Sequence, residues 1–150
     1  MSDSSSAPYR GIIGHGVDIV EISRIVRSLD RHEESFLTKC FTEREVDDAG
    51  NSARRAEHLA ARFAAKEAAL KAIGTGWSQG IGWTDVETIR LDSGKPELRV
   101  SGRAKEIADS MGIDRWFVSL SHTGSDAIAS VIAEGIVVGN AVGNVAENVG

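Results

Sequence analysis

The chain holds a single cysteine, Cys40, so no intrachain disulfide forms and no second thiol stands nearby to build a zinc site. A reducing compartment suits it. Basic residues are outnumbered, with 17 lysines and arginines against 22 aspartates and glutamates and a net charge of -5. That balance argues against a general nucleic-acid binder, although it permits a local basic patch. No apolar run nears the roughly 20 residues that span a bilayer, and the serine-rich start lacks the apolar centre of a signal peptide. The expectation is a cytoplasmic protein with no membrane partner. No internal repeat is evident. What is present, 150 residues with 41% apolar and 26% charged side chains, describes one soluble domain with enough length for a core.

The stretch from Arg54 to Gly76 is alanine-rich, free of proline, and closes on Gly74 where a C-terminal cap belongs, which predicts a helix. At about 100° per residue, Leu59, Phe63, Leu70 and Ile73 share one stripe, with Lys66 in its middle. Glu67 and Lys71 lie on one flank at the four-residue spacing of an ion pair. On this helix alone, Lys66 either snorkels to water or serves the chemistry, and Glu67 with Lys71 is either a surface pair or a site.

Residues 1 to 9 read as a frayed extension. From Arg10, β-branched residues mixed with Gly14 and Gly16 predict a strand whose backbone is closely approached, with Asp18 near its end as turn residue or metal ligand. Glu21 to Arg31 predicts an amphipathic helix. Its apolar face holds Ile22, Ile25, Val26 and Leu29, and its opposite face Arg24, Arg27 and Arg31. That basic stripe is a solvated face or a dock for an acidic protein. Residues 33 to 53 read as short helical pieces and turns, with Thr42 and Glu45 forming a capping box.

Residues 74 to 83 form a glycine-rich loop that matches neither a Walker A motif nor a dinucleotide fingerprint. Thr84 to Leu91 and Pro96 onward predict a hairpin, Gly102 to Met111 a short helix, and Trp116 to Ser121 and Ala127 to Ala133 two further strands. The result is an α+β protein with a mainly antiparallel sheet. His122 ends a strand, where it is structural or open to a phosphate. Gly135 to Gly150 reads as a flexible tail.

Five segments together carry a resemblance: Gly16-Val17-Asp18, residues 62 to 71 with their Phe-x-x-Lys-Glu-x-x-x-Lys pattern, Gly74-Thr75-Gly76, Gly94-Lys95-Pro96 and residues 119 to 122. They resemble the holo-acyl-carrier-protein synthases, the small bacterial 4'-phosphopantetheinyl transferases, from about Gly11 to Ala133. The resemblance implies that family's fold, one long and several short helices packed on the sheet, with residues 10 to 134 as the transferase domain. It implies transfer of the 4'-phosphopantetheine arm of coenzyme A to a serine of an apo acyl carrier protein, releasing adenosine 3',5'-bisphosphate.

By the same resemblance Asp18 and Glu67 hold Mg2+, and Lys71 contacts a transferring phosphate oxygen or relays the serine proton. Asp18, Glu67 and Lys71 are therefore the candidate catalytic residues. Arg62, Lys71, Gly74, Thr75, Gly76 and His122 are the candidate coenzyme A contacts. Arg24 and Arg31 match carrier-docking positions, and Arg27 is added from the helical wheel. The general base stays open among water on the metal, Glu67 and Lys71, and Lys66 stays open between a buried structural role and phosphate steering. The family also implies a homotrimer, with the Asp18 and Glu67 side of each site on one subunit and the His122 side on the next. Two other readings of the same residues are a carrier-binding module without catalysis and a different magnesium-dependent enzyme acting on nucleotide pyrophosphates.

Overall fold

In the computed structural model, which describes residues 7–139, β1 (Tyr9–Glu21) runs directly into α1 (Ile22–Cys40), followed by α2 (Glu43–Ala49) and the long α3 (Arg55–Ile73). A 3-10 turn at Trp83–Asp85 leads to the hairpin β2 (Val86–Arg90) and β3 (Pro96–Val100). Then come α4 (Gly102–Ser110), β4 (Ile113–His122) and β5 (Asp126–Val137). The main sheet has the order β1-β5-β4 and is antiparallel throughout, and β2-β3 forms a separate antiparallel pair. The α+β class with a mainly antiparallel sheet is the observed one.

α3 packs on one face of the main sheet, and two glycines make this possible. A Cβ at Gly14 or Gly16 would collide with the carbonyl oxygens of Ala72 or Ala68. The close approach read from those glycines is the approach of α3. Strand residues alternate between faces, so Gly16, Asp18 and Val20 turn toward the helix while Val17 and Ile19 turn away, the latter pair 47% and 62% exposed. No described element covers that second face, on which Phe117 of β4 is also exposed and His15 meets the Ser130 hydroxyl at 3.1 Å.

The residues of the expected stripe, Leu59, Phe63, Leu70 and Ile73, are all buried. The stripe is nevertheless too narrow a description, because Ala60, Ala64, Ala65, Ala68 and Ala69 are buried as well. α3 contacts β1, β5, α1, α2 and β2, so it is enclosed on most sides. Alanine fits such a position: it lets neighbouring backbones come close while keeping the best helix propensity.

Several boundaries differ from expectation: β4 begins earlier, at Ile113, and β2 later, at Val86. α1 does not stop at Arg31 but resumes after a non-helical His32 (φ -148, ψ 51) and continues to Cys40. No proline or glycine marks that break, so local propensity could not show it. β5 extends to Val137, three residues into the segment read as a tail, because Gly135, Ile136 and Val137 complete the ladder with Gly11, Arg10 and Tyr9. The same pairing draws Tyr9 into β1, out of the segment read as frayed. Residues 1 to 6 and 140 to 150 lie outside the described residues.

Candidate functional site

Two local groupings form on α3. Toward its C-terminal end, the Lys71 ammonium donates to Asp18 Oδ1 and to the Val17 carbonyl, each at 3.0 Å. Glu67 lies one helical turn before Lys71 on the same flank and is half-buried, with no hydrogen bond or ion pair engaging it among the described residues. Asp18 and Lys71 therefore meet where β1 crosses the helix, with Glu67 one turn before Lys71 on α3. The surface pair between Glu67 and Lys71 does not form, since Lys71 turns to Asp18 instead. No group of three or more histidine, cysteine or acidic side chains poised for a metal occurs among the described residues. The acidic donors at this point are the two carboxylates.

Lys66 is fully buried, and its ammonium donates to Glu45 Oε1 at 2.7 Å, to the Trp83 carbonyl at 3.0 Å and to the Val86 carbonyl. Burial pulls its pKa below the ordinary lysine value, and the Glu45 charge opposes that pull. Lys66 does not snorkel to water, and its ammonium is engaged by these three partners. The capping box at Thr42 and Glu45 exists as read, with Glu45 N donating to Thr42 Oγ1 at 3.2 Å and Thr42 N to Glu45 Oε1 at 3.1 Å. The cap residue is also the partner of the buried lysine, a second task that sequence spacing could not reveal.

The second grouping surrounds a cavity of about 590 Å³ beside the N-terminal half of α3, lined among others by Arg54, His58, Arg62, Thr88, Arg90 and Lys95. Arg62 is 6% exposed, and burial lowers its pKa from the ordinary arginine value. One guanidinium nitrogen donates to the His58 carbonyl at 3.1 Å, while Arg62 Nε and Thr88 Oγ1 are buried without partners. Unpaired buried donors are costly, and here they belong to a cationic wall suited to an anion. His122 adjoins this wall: Arg54 Nη2 donates to its Nε2 at 3.1 Å, and its Nδ1 lies 3.9 Å from Glu57.

The His122 end of the second grouping lies away from the first within the chain. Glu57 and Glu67 are ten residues apart on α3, about 15 Å along the axis, and His122 stands on the edge strand opposite β1, with β5 between them. Of the expected site residues, Asp18 and Lys71 are brought into contact, with Glu67 one turn before Lys71 on the same helix, while Arg62 lines the cavity and His122 adjoins it.

Gly74, Thr75 and Gly76 follow the C-terminal end of α3, with Gly74 in the left-handed conformation (φ 75). The amides of Gly74 and Thr75 are spent on the carbonyls of Lys71 and Leu70, so they cap the helix. Trp77 then folds the loop back onto Trp83, ring centroids 3.7 Å apart.

On α1, Arg24, Arg27 and Arg31 are exposed and line a cavity of about 420 Å³ with Phe36 and Lys39 from beyond the His32 break. The Arg24 guanidinium sits 5.6 Å from the centre of the Phe63 ring, which holds the basic helix against α3. Lys39 was missed because the helix was ended too early. Arg54, Arg90 and Lys95 were missed because their elements are distant in sequence, although Gly94-Lys95-Pro96 had stood out as a motif.

The sequence profile of the 4'-phosphopantetheinyl transferase superfamily matches residues 14–130. The chain belongs to this superfamily. A holo-[acyl-carrier-protein] synthase of Solibacter usitatus is 42% identical over 123 residues, covering 82% of this chain and 98% of the relative. The crystal structure of the Neisseria meningitidis holo-[acyl-carrier-protein] synthase aligns with a TM-score of 0.73 at 32% identity, covering 82% of this chain and 98% of that one. A Bacillus anthracis synthase solved in complex with CoA (3',5'-ADP) aligns with a TM-score of 0.68 at 36% identity, covering 83% and 97%. The transferase match runs from the glycine of β1 that admits α3 to Ser130 of β5. It therefore spans both groupings and the basic helix.

Proposed function

We propose that this transferase moves the 4'-phosphopantetheine arm of coenzyme A to a serine of an apo acyl carrier protein and releases adenosine 3',5'-bisphosphate. The observation that carries this reading is the contact between Lys71 and Asp18, which joins two motifs 53 positions apart at one point of the surface. In the reaction the serine Oγ forms a bond to the phosphorus bearing the pantetheine. The bond from that phosphorus to the bridging oxygen breaks, the nucleotide leaves, and the serine proton passes to a base. Transfer at a pyrophosphate depends on alignment and charge neutralisation more than on covalent help from the protein.

Asp18 and Glu67 suit Mg2+, an ion that takes one or two carboxylates and completes its shell with waters and substrate phosphates. Magnesium held there would neutralise charge on the pyrophosphate and align it. Lys71 spends two hydrogen bonds on Val17 and Asp18 and is 55% exposed, so its remaining N–H is available to a phosphate oxygen. Arg62, with Arg54, Arg90 and Lys95, forms the cationic wall for the phosphates of the nucleotide end, and His122 extends it. Gly76, beyond the capping amides of Gly74 and Thr75, would border coenzyme A at the Lys71 end of α3. Arg24, Arg27 and Arg31, joined by Lys39, dock the carrier, whose acidic surface they would steer and orient.

We also infer a homotrimer in the cytoplasm with sites shared between neighbours. The two half-sites are separated along α3, and the sheet face bearing Val17, Ile19 and Phe117 lacks a cover among the described residues, both of which favour association. No helix among the described residues is long and apolar enough to cross a membrane. The transferase unit runs from β1 to the end of β5.

Incubating the protein with coenzyme A, Mg2+ and an apo carrier, then weighing the carrier by mass spectrometry, tests the assignment. One added phosphopantetheine arm is the expected result. Carrier binding without a mass change would select a docking module, and coenzyme A cleavage without a carrier would select a pyrophosphate-cleaving enzyme.

A further inference from the structure

The buried pair of Lys66 and Glu45 has no part in the chemistry above, and buried ion pairs are weak sources of stability because both charges lose their hydration. Their hydrogen bonds are directional, however, and each one here ends on a different piece of backbone. Lys66 fixes the carbonyls of Trp83 and Val86. Glu45 joins Lys66 and the Thr42 amide through Oε1 and the Thr88 amide through Oε2, the last at 3.1 Å. One ion pair thus fastens α2, α3, the 3-10 turn and β2 at a single point.

Two of the fastened residues lead to the cationic cavity or its approach. Thr88 lines the cavity together with Arg62, which stands one turn before Lys66 on α3, and β2 continues from Thr88 to Arg90 in the same lining. Trp83 anchors the glycine-rich loop through its stack on Trp77. An apolar pair of equal volume would fill the space, but it would leave the β2 amide and carbonyls free to shift against the helix.

We propose that Lys66 and Glu45 are positioning residues: they fix the distance between the Arg62 wall on α3 and the Thr88 and Arg90 wall on β2, and thereby set coenzyme A affinity without touching it. This rests on assigning the cavity to the nucleotide end of coenzyme A. The test replaces the pair with apolar residues of similar size, Glu45→Leu with Lys66→Met, and in a separate variant makes Glu45→Gln, which keeps the shape and removes the charge. The expected result for the apolar pair is a lowered melting temperature, because the Thr88 amide and the Trp83 and Val86 carbonyls lose their partners, with KM for coenzyme A raised about tenfold in the folded protein, while kcat and the carrier KM move less than twofold. Glu45→Gln should raise the coenzyme A KM about threefold with the same pattern, and it decides the matter if the apolar pair does not fold.

A folded variant with unchanged coenzyme A KM, or one in which both substrate KM values rise equally, overturns the proposal. Calorimetric titration with coenzyme A reads the same effect without turnover. A chain that transfers nothing, yet loses coenzyme A affinity when the pair is replaced, would refute the transferase assignment and leave the positioning role standing.

Discussion

At its C-terminal end α3 presents Glu67 and Lys71 to the carboxylate of Asp18 at a partly open surface, mixing both signs of charge. At its N-terminal end the same helix presents Arg54, His58 and Arg62 to a cavity whose other walls add Arg90 and Lys95, with Arg62 almost wholly buried. The first end has the composition of a site that holds a cation and moves a phosphorus. The second is mainly cationic, with Asp48 as the acidic member of its lining, and suits an anion. The difference teaches that two unlike charged surfaces are divided along one helix, a mixed one at its C-terminal end and a mainly cationic one at its N-terminal end.

The division breaks most completely at Glu67. Glu67→Gln keeps the shape of the side chain and removes its charge, and should lower kcat on the order of 1,000-fold while coenzyme A binding by calorimetry stays near wild type, the behaviour of a group that acts on the developing charge. A comparable loss of coenzyme A affinity would assign Glu67 to the gripping end. The next effect concerns sharing between copies. Glu67→Gln chains refolded together with His122→Ala chains should recover up to about one quarter of the wild-type rate, because about one shared site in four then draws both halves from intact partners. Recovery no greater than the sum of the two separate variants would place both halves in one chain.

The basic helix belongs to neither end of α3, and Arg24→Glu should show this by raising the carrier KM about tenfold and leaving coenzyme A binding unchanged. Equal loss of both would merge the docking face with the anion cavity. The smallest effect lies far from all of them. Hydrogen bonds from Arg10 hold the Asp114 carboxyl below the ordinary carboxylate range. Its contribution to stability is present above the unfolded-chain pKa and is lost as pH falls through the lower folded value. Asp114→Asn should therefore flatten the acid side of the stability profile slightly, measured as urea midpoints against pH, with no change in transfer rate at neutral pH.

Much of the fold was legible because local chemistry announced it. The long helix with its Gly74 cap, the Thr42 and Glu45 capping box, the turn before Pro96 and the alternation in β4 and β5 all follow from near neighbours in the chain. The break at His32 was not legible because no proline or glycine marks it, and the last residues of β5 were not because Gly135 is held in the sheet by its strand partners. The site divides in the same way. Asp18, Glu67 and Lys71 stood out through the resemblance of their motifs to the family, where type and spacing alone left them open, and the glycines beside Asp18 hinted at the helix that lies there. The anion cavity was mostly hidden, because Arg54, Arg62, Arg90 and Lys95 come from α3, the segment before it, and the hairpin.

The sequence by itself determined which elements form, which face of α1 is basic, and which residues of the Arg54 to Gly76 stretch carry charge. Only the tertiary structure decided what those charges do. Lys66 and Lys71 are five residues apart on one helix, with the same side chain and the same intrinsic basicity. Lys66 falls where α2 and β2 close over the helix, so it is stripped of water and must be met by Glu45 and two carbonyls. Lys71 falls where β1 crosses at its glycines, so it stays half in solvent and turns to Asp18. A residue's type fixes its charge and reach, but its burial and its partners come from segments that only the fold brings near.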